Sequence, residues 1–312
     1  MTYLPKVYKD KGGDRIVLAS GGSIVSTGGT IAPMGVFGTV FYVDADHGDD
    51  DDDGLSPGTA KLTIAAGYAL CTDGDDDVLI LRGSFYGETL TIAKSKLHVF
   101  GLQSSGWDRS YLTRLHSGDD ATDGTILVQA RDVELAGMIV LGNRDVGKHL
   151  PAVVLDGDNS GSRSYVHDLF VTNLTPSATK YNIGIEIRSG DRHTIEDCVI
   201  ESCLTGIEVD SAVQTTYEIL MRRITTYACD KGIHVKNLQT STGQFGAIIK
   251  DCLLCGDGAT AETAGIDVDA SAPMVTIAGC KISGYTTPIV NGASAELINN
   301  YEPTIGGTLI NV

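Results

Sequence analysis

The chain has 312 residues, 42% of them hydrophobic, and a formal charge of −17, with 40 acidic against 23 basic residues. That balance argues against a nucleic-acid or anionic-membrane surface and favours solubility, and no run of about 18 apolar residues marks a membrane span. Glycine at 38 positions, against 8 prolines, suits many tight turns, and the polar start at Met1-Thr2-Tyr3 carries no secretory signal, which implies synthesis in a host cytoplasm.

Residues 1–40 differ in character from the rest of the chain. A basic, aromatic opening with Tyr3, Lys6, Tyr8, Lys9 and Arg15 leads into Ile16-Val17-Leu18, then into Gly21-Gly22-Ser23-Ile24 and Gly28-Gly29-Thr30-Ile31. Gly-kinked strands of that length are not stable alone and need a partner surface or sister chains; a flexible leader is the alternative. Lys6-Val7-Tyr8, Gly12-Gly13-Asp14 and Gly21-Gly22 resemble the N-terminal segment of bacteriophage virion proteins of the capsid decoration, cement or head-spike type. The resemblance implies a docking and oligomerisation segment over 1–40, in which Tyr3, Lys6, Tyr8, Lys9 and Arg15 meet a major capsid protein or another virion protein.

From residue 41 the pattern changes. Phe41-Tyr42-Val43-Asp44 reads as a strand, and Leu62 to Leu70 as a short helix broken after Cys71 by Thr72-Asp73-Gly74. Between them Asp44, Asp46, Asp49, Asp51 and Asp53 belong to the densest charge in the chain. Carboxylates are natural ligands of hard cations, so a calcium loop is one reading. The spacing is not that of an EF-hand, and adjacent like charges also form bare solvated loops. Phe41 to Asp44, Gly48-Asp49, Gly54-Leu55-Ser56-Pro57, Val78-Leu79-Ile80-Leu81 and Glu88-Thr89-Leu90-Thr91-Ile92 resemble the opening of right-handed parallel β-helix proteins of the pectate-lyase-like type. In that likeness the helix caps a solenoid end, whose apolar core and unpaired strand edges otherwise invite polymerisation.

Less regular coils run through Leu97 to Phe100, Thr125 to Val128, Val133 to Leu135, Met138 to Leu141, Val153 to Asp156 and Leu169 to Val171, with 103–124, 142–151 and 157–164 expected as protruding loops. In the first loop Trp107, Asp108, Arg109 and Tyr111 suit stacking on a sugar, anchoring a partner, or packing on the shaft.

From residue 183 one phrase returns every 22 to 33 residues: Gly184-Ile185-Glu186-Ile187, Gly206-Ile207-Glu208-Val209, Gly232-Ile233-His234-Val235, Gly265-Ile266-Asp267-Val268 and a weaker Pro288-Ile289-Val290. Each unit holds about three short alternating strands and cannot bury its own apolar face, so it stacks on its neighbours. The expected fold is all-β: a right-handed parallel β-helix (solenoid) over 41–312, with a short capping helix and a small N-terminal Gly-rich β segment. Alternation turns Ile185, Ile187, Ile207, Val209, Ile233, Val235, Ile266 and Val268 inward and the residues between them to solvent. Cys198, Cys252 and Cys280 fall in one inward column, as small buried hydrophobes. Asp168, Asp197 and Asp251 share one turn, and the coil at 219–224 breaks both columns with Met221 and Arg222. Ala295 to Tyr301 and Thr308 to Val312 read as a last coil and a terminal strand.

The outward positions form two columns, Val154, Glu186, Glu208, His234, Asp267 and Asp156, Arg188, Asp210, Lys236, Asp269. The second alternates in sign, as stabilising cross-strand pairs do, and no catalytic motif of a known β-helix enzyme family is present. With the virion resemblance, this reads as a non-enzymatic decoration or cement protein on the capsid surface, a homotrimer without cofactor. The alternative is a tailspike-type protein that binds or depolymerises host surface polysaccharide. Glu186 and Glu208 are then acid and nucleophile of a glycoside hydrolase, supported by Asp210 and His234; a calcium-dependent lyase would use Arg188 or Lys236 as base.

Overall fold

A computed structural model describes residues 7–9, 16–18, 38–102, 113–117, 123–142, 150–157, 162–172, 183–211, 216–238, 246–258, 262–272, 274–292, 295–302 and 308–309. The chain divides into two compact units, Met1–Phe37 and Gly38–Val312. In the first, Val7–Lys9 pairs antiparallel with Ile16–Leu18, Tyr8 opposite Val17. Tyr8 and Lys9 lie on that hairpin, whereas Tyr3, Lys6, Arg15 and the Gly-Gly repeats lie outside the described residues, as do Trp107, Asp108, Arg109 and Tyr111.

The second unit is built from coils of three strands. A representative coil runs Thr194–Glu196, Val199–Glu201, Thr205–Asp210, and each strand pairs in parallel with its counterpart one coil on, at Ile219–Arg222, Thr225–Tyr227 and Lys231–Asn237. The counterparts line up as three faces: the first, second and third sheets. The third has eight strands, from Leu90–Ile92 to Thr287–Asn291. The first and second join through Val78–Tyr86, whose early residues pair with His98–Gly101 and whose late ones pair with Thr113–His116. Thr113–His116 is therefore a shaft strand within a stretch expected to be a loop. Parallel crossovers of this kind wind right-handed, and the expected all-β parallel β-helix is the observed fold.

The helix forms at Ile64–Leu70, and the acidic run helps to start it. Within the first turn Thr63 Oγ1 accepts from the Ala66 amide at 3.2 Å and Glu88 Oε2 from the Ile64 amide at 2.9 Å, while Asp50 Oδ1 fixes the chain just ahead of the helix by accepting from the Leu62 and Thr63 amides at 2.9 Å each. At the far end Lys94 Nζ donates to the Tyr68 and Cys71 carbonyls at 2.7 and 2.6 Å. A Cβ on Gly67 would stand 2.2 Å from Val43 Cγ2. Only a bare backbone lets the helix sit this close to the first strand.

At the corner between the first and second sheets one residue per coil is left-handed: Asp168, Asp197, Arg223 and Asp251 at φ 50 to 54°, then Gly279 at 66° and Asn299 at 49°. Asp, Asn and Gly tolerate that region best. Arg223 is the exception, and it forks onto Asp197 with Nε and Nη2 at 2.7 and 2.6 Å. The residue after each of these points inward, giving the buried column Leu169, Cys198, Ile224, Cys252, Cys280 and Asn300. The expected break is thus a slip of two residues: Met221 pairs with Ile195 and Arg222 with Glu196, while Arg223 and Ile224 continue both columns. Cys252-Leu253-Leu254-Cys255 has the CxxC spacing, but Cys252 is buried and Cys255 lies on the opposite side of the strand, so the two thiols do not meet.

The glycine that opens each returning phrase has a steric reason. A Cβ on Gly184, Gly206 or Gly232 would stand 2.5 Å from the carbonyl oxygen of the next glycine in the ladder. Gly206→Ala should therefore lower the unfolding free energy by about 2 kcal/mol, as overpacking does, read as a lower urea midpoint with the slope unchanged. An unchanged midpoint would mean that coil spacing is not set by this ladder.

Candidate functional site

The third sheet brings Glu186, Glu208, His234 and Asp267 into one row, each opposite the next in backbone register. Alternation places them outward, yet they are not the solvated column expected: Glu208, His234 and Asp267 are buried. The cause is the longer basic side chains around the row. Arg188 Nε donates to Glu186 at 2.8 Å, Lys236 Nζ reaches Asp210 at 2.9 Å and lies 3.8 Å from Glu208, and Lys231 Nζ reaches Asp267 at 2.7 Å. The second outward column is also out of backbone register. Irregularities after Leu155 and Val209 set Asp156 opposite Ser189 and Asp210 opposite Asn237.

Burial pushes the Glu186 carboxyl above its ordinary range, against the pull of Arg188 and with help from Glu208 and Asp210. Glu208 lies 3.3 Å from His234 Nδ1, whose Nε2 lies 3.4 Å from Asp269 and 3.7 Å from Asp267. The row therefore joins a carboxyl raised by burial to a second carboxyl flanked by an imidazole and a lysine.

Two groups of the described residues bring three ligand atoms within 4.8 Å of one another: His234, Asp267 and Asp269, and Asp44, Asp46 and His47. In the first, Lys231 already holds Asp267. In the acidic loop, Asp44 accepts from the Asp46 and His47 amides at 3.0 and 3.2 Å and from Arg82 at 3.0 Å. Asp49 and Asp53 accept from the Asp51 and Leu55 amides at 3.0 Å each, which makes these carboxylates turn-formers. Asp49, Asp51 and Asp53 do not join Asp44 and Asp46 in that group.

The outer face of the first sheet holds a second network that the repeat pattern did not reveal. Glu134 lies between His98 Nδ1 at 2.6 Å and His167 Nε2 at 3.0 Å, and His167 Nδ1 lies 2.7 Å from Asp168. One coil further, Glu196 accepts from Tyr165, Arg222 and Arg223. Hydrogen bonds from His167 and His98 hold the Glu134 carboxyl down to about 2, Arg222 and Tyr165 do the same for Glu196, also about 2, and Glu134 raises His167 above 6.5. The available signal was register: counting coils from the left-handed corner places Glu134, His167, Glu196 and Arg222 on neighbouring strands.

No family model and no curated protein matches the sequence. Solved structures do. The chain is similar to a pectin methylesterase in complex with hexasaccharide VII, with a TM-score of 0.51 and 14% identity over 82% of each chain. It is similar to pectin methylesterase PemA from Erwinia chrysanthemi, at 0.50 and 15% over 82% of each. It is similar to the GH136 lacto-N-biosidase from Eubacterium ramulus, at 0.55 and 12%, over 84% of this chain and 55% of that one. At these identities the likeness is one of fold, and these neighbours are glycan-processing enzymes.

The first-sheet network sets a pH window. The raised His167 contributes stability that is complete below 6.5 and is lost as pH rises through its folded value, and Glu134 contributes stability that is complete above 4.5 and is lost as pH falls towards about 2. His167→Gln should therefore lower the urea midpoint most between those two values and progressively less on the alkaline side. An equal loss at every pH would show that His167 acts by packing alone.

Proposed function

We propose that the shaft is a tailspike-type polysaccharide-binding and depolymerising protein that hydrolyses glycosidic bonds on its third sheet. The observation that carries this reading is the pair Glu186 and Glu208, in register on adjacent strands, one raised by burial and the other beside His234 and Lys236. Adjacent parallel strands are about 4.8 Å apart, close to the carboxyl separation of about 5–5.5 Å used by retaining glycosidases.

In that chemistry Glu186 protonates the glycosidic oxygen as the bond to the anomeric carbon breaks, and Glu208 attacks that carbon to form a glycosyl ester. Water, deprotonated by the Glu186 carboxylate, then cleaves the ester and restores both groups. Arg188 fixes the orientation of Glu186, and His234 and Lys236 position Glu208. Asp210 fits a supporting role, holding Lys236.

The placement on a bacteriophage particle rests on the sequence likeness at Lys6-Val7-Tyr8, Gly12-Gly13-Asp14 and Gly21-Gly22. In this proposal residues 1–40 fix a homotrimer to a virion protein, and the shaft meets host surface polysaccharide. A fold shared with glycan-processing enzymes supports this more than it supports a non-enzymatic decoration protein.

Reducing-end release from purified surface polysaccharide tests the assignment. Glu208→Gln and Glu186→Gln should each lower release by roughly 10²-fold or more while circular dichroism and the urea midpoint stay near those of the parent. Activity within a few-fold of the parent in both variants would remove these residues from the chemistry.

A further inference from the structure

On the first sheet, a face other than that of the Glu186–Glu208 row, lies an open pocket of 360 Å³. His98, Asp132, Glu134, Arg163, Tyr165 and Arg192 line it. The volume falls among small-ligand sites, which span about 300–1,000 Å³.

Its polar groups are already held in place from the protein side. Arg163 binds Asp132 through Nε at 2.7 Å and Nη2 at 3.1 Å, which leaves the Nη1 edge for a ligand. Arg192 is held through Nε by Glu218 at 2.7 Å. Glu134 is fixed between two imidazoles. Tyr165 is 36% exposed. One face of its ring stacks on His167, at 4.2 Å between centroids and 25° between planes, and its hydroxyl is engaged by Glu196. Tyr165 lies on the outer side of Ser164–His167 with Arg163 just ahead of that strand, and both line the pocket.

Two arginines offset Asp132 and Glu134 in the lining, so no excess charge favours a phosphate or a uronate. An aromatic face beside fixed planar donors and acceptors suits the CH face and hydroxyls of a sugar. We infer that this pocket binds one or two pyranose units of an uncharged stretch of glycan, as a holding site separate from the hydrolytic row. The choice of a sugar rests partly on the functional reading above; the pocket's construction does not.

Saturation-transfer NMR on the full chain tests it, with maltohexaose, cellohexaose, chitohexaose and hexagalacturonate as probes. At least one neutral hexasaccharide should bind; Tyr165→Ala and Arg163→Ala should each weaken it roughly tenfold, and Tyr165→Phe, which keeps the ring, should not. Arg163 is exposed enough for its variant to fold, which guards against a collapsed Tyr165→Ala protein. No transfer to any neutral probe, binding of hexagalacturonate alone, or transfer indifferent to Tyr165 and Arg163 would each overturn the site. Glu208→Gln separates the two claims: transfer that persists in this variant and still depends on Tyr165 supports the pocket whatever becomes of the hydrolytic row.

Discussion

A unit of three short strands has no core of its own, so every coil must set its strands in register on the coil before it. Coil-to-coil register is the constraint on which the rest depends. Inside, it stacks Ile185, Ile207, Ile233 and Ile266 without exposed area. At the glycine ladder it brings backbones closer than a Cβ allows, and at the corner it demands one left-handed residue per coil. At the corner the buried Asn300 side chain ties its coil to the one before it, accepting from the Cys280 amide and donating to the Ile277 carbonyl, both at 2.9 Å.

On the outside the same register treats the two faces differently. The first sheet sets acid beside base, with Glu134 between two histidines and Glu196 beside Arg222. Such pairs stabilise a sheet. The third sheet sets Glu186 opposite Glu208, half-burying the first behind Arg188 and burying the second behind Lys236. A like-charged pair in register costs stability, and burial raises that cost. Violations of local rules of this kind concentrate at functional sites, and this is the physical ground for proposing hydrolysis at the third-sheet row.

Much of the fold was legible because its signals are periodic. The returning Gly-Ile phrase marked the third sheet, the alternation within it marked the buried isoleucines, and the apolar stretch before Thr72-Asp73-Gly74 marked the helix. Less periodic parts were harder to read. Met221 and Arg222 filled the wrong slots because Arg223, a residue that rarely adopts a left-handed backbone, stands where the other coils use Asp, Gly or Asn. Thr113–His116 was hidden because Thr-Arg-Leu-His carries none of the returning phrases, although it pairs one coil away on either side with Val78–Tyr86 and Ile139–Leu141. Glu186, Glu208 and His234 were legible as neighbours, but their burial was not, since it depends on where Arg188, Lys231 and Lys236 reach. The first-sheet network escaped for a related reason: Glu196 sits in a phrase that returns at Ile249 to Cys252 and Ile277 to Cys280, but the residue at its position changes from coil to coil, so only the register shows which side chains meet.

The functional account stands on the third sheet acting as a hydrolytic face, with water as the second reactant. Host surface polysaccharide incubated with the full chain in ¹⁸O-labelled water and analysed by mass spectrometry tests this most directly. The account predicts oligosaccharides that carry a single ¹⁸O at the new reducing end. Unlabelled products with an unsaturated end would show elimination instead, and an uncut polymer would return the third-sheet row to a structural role.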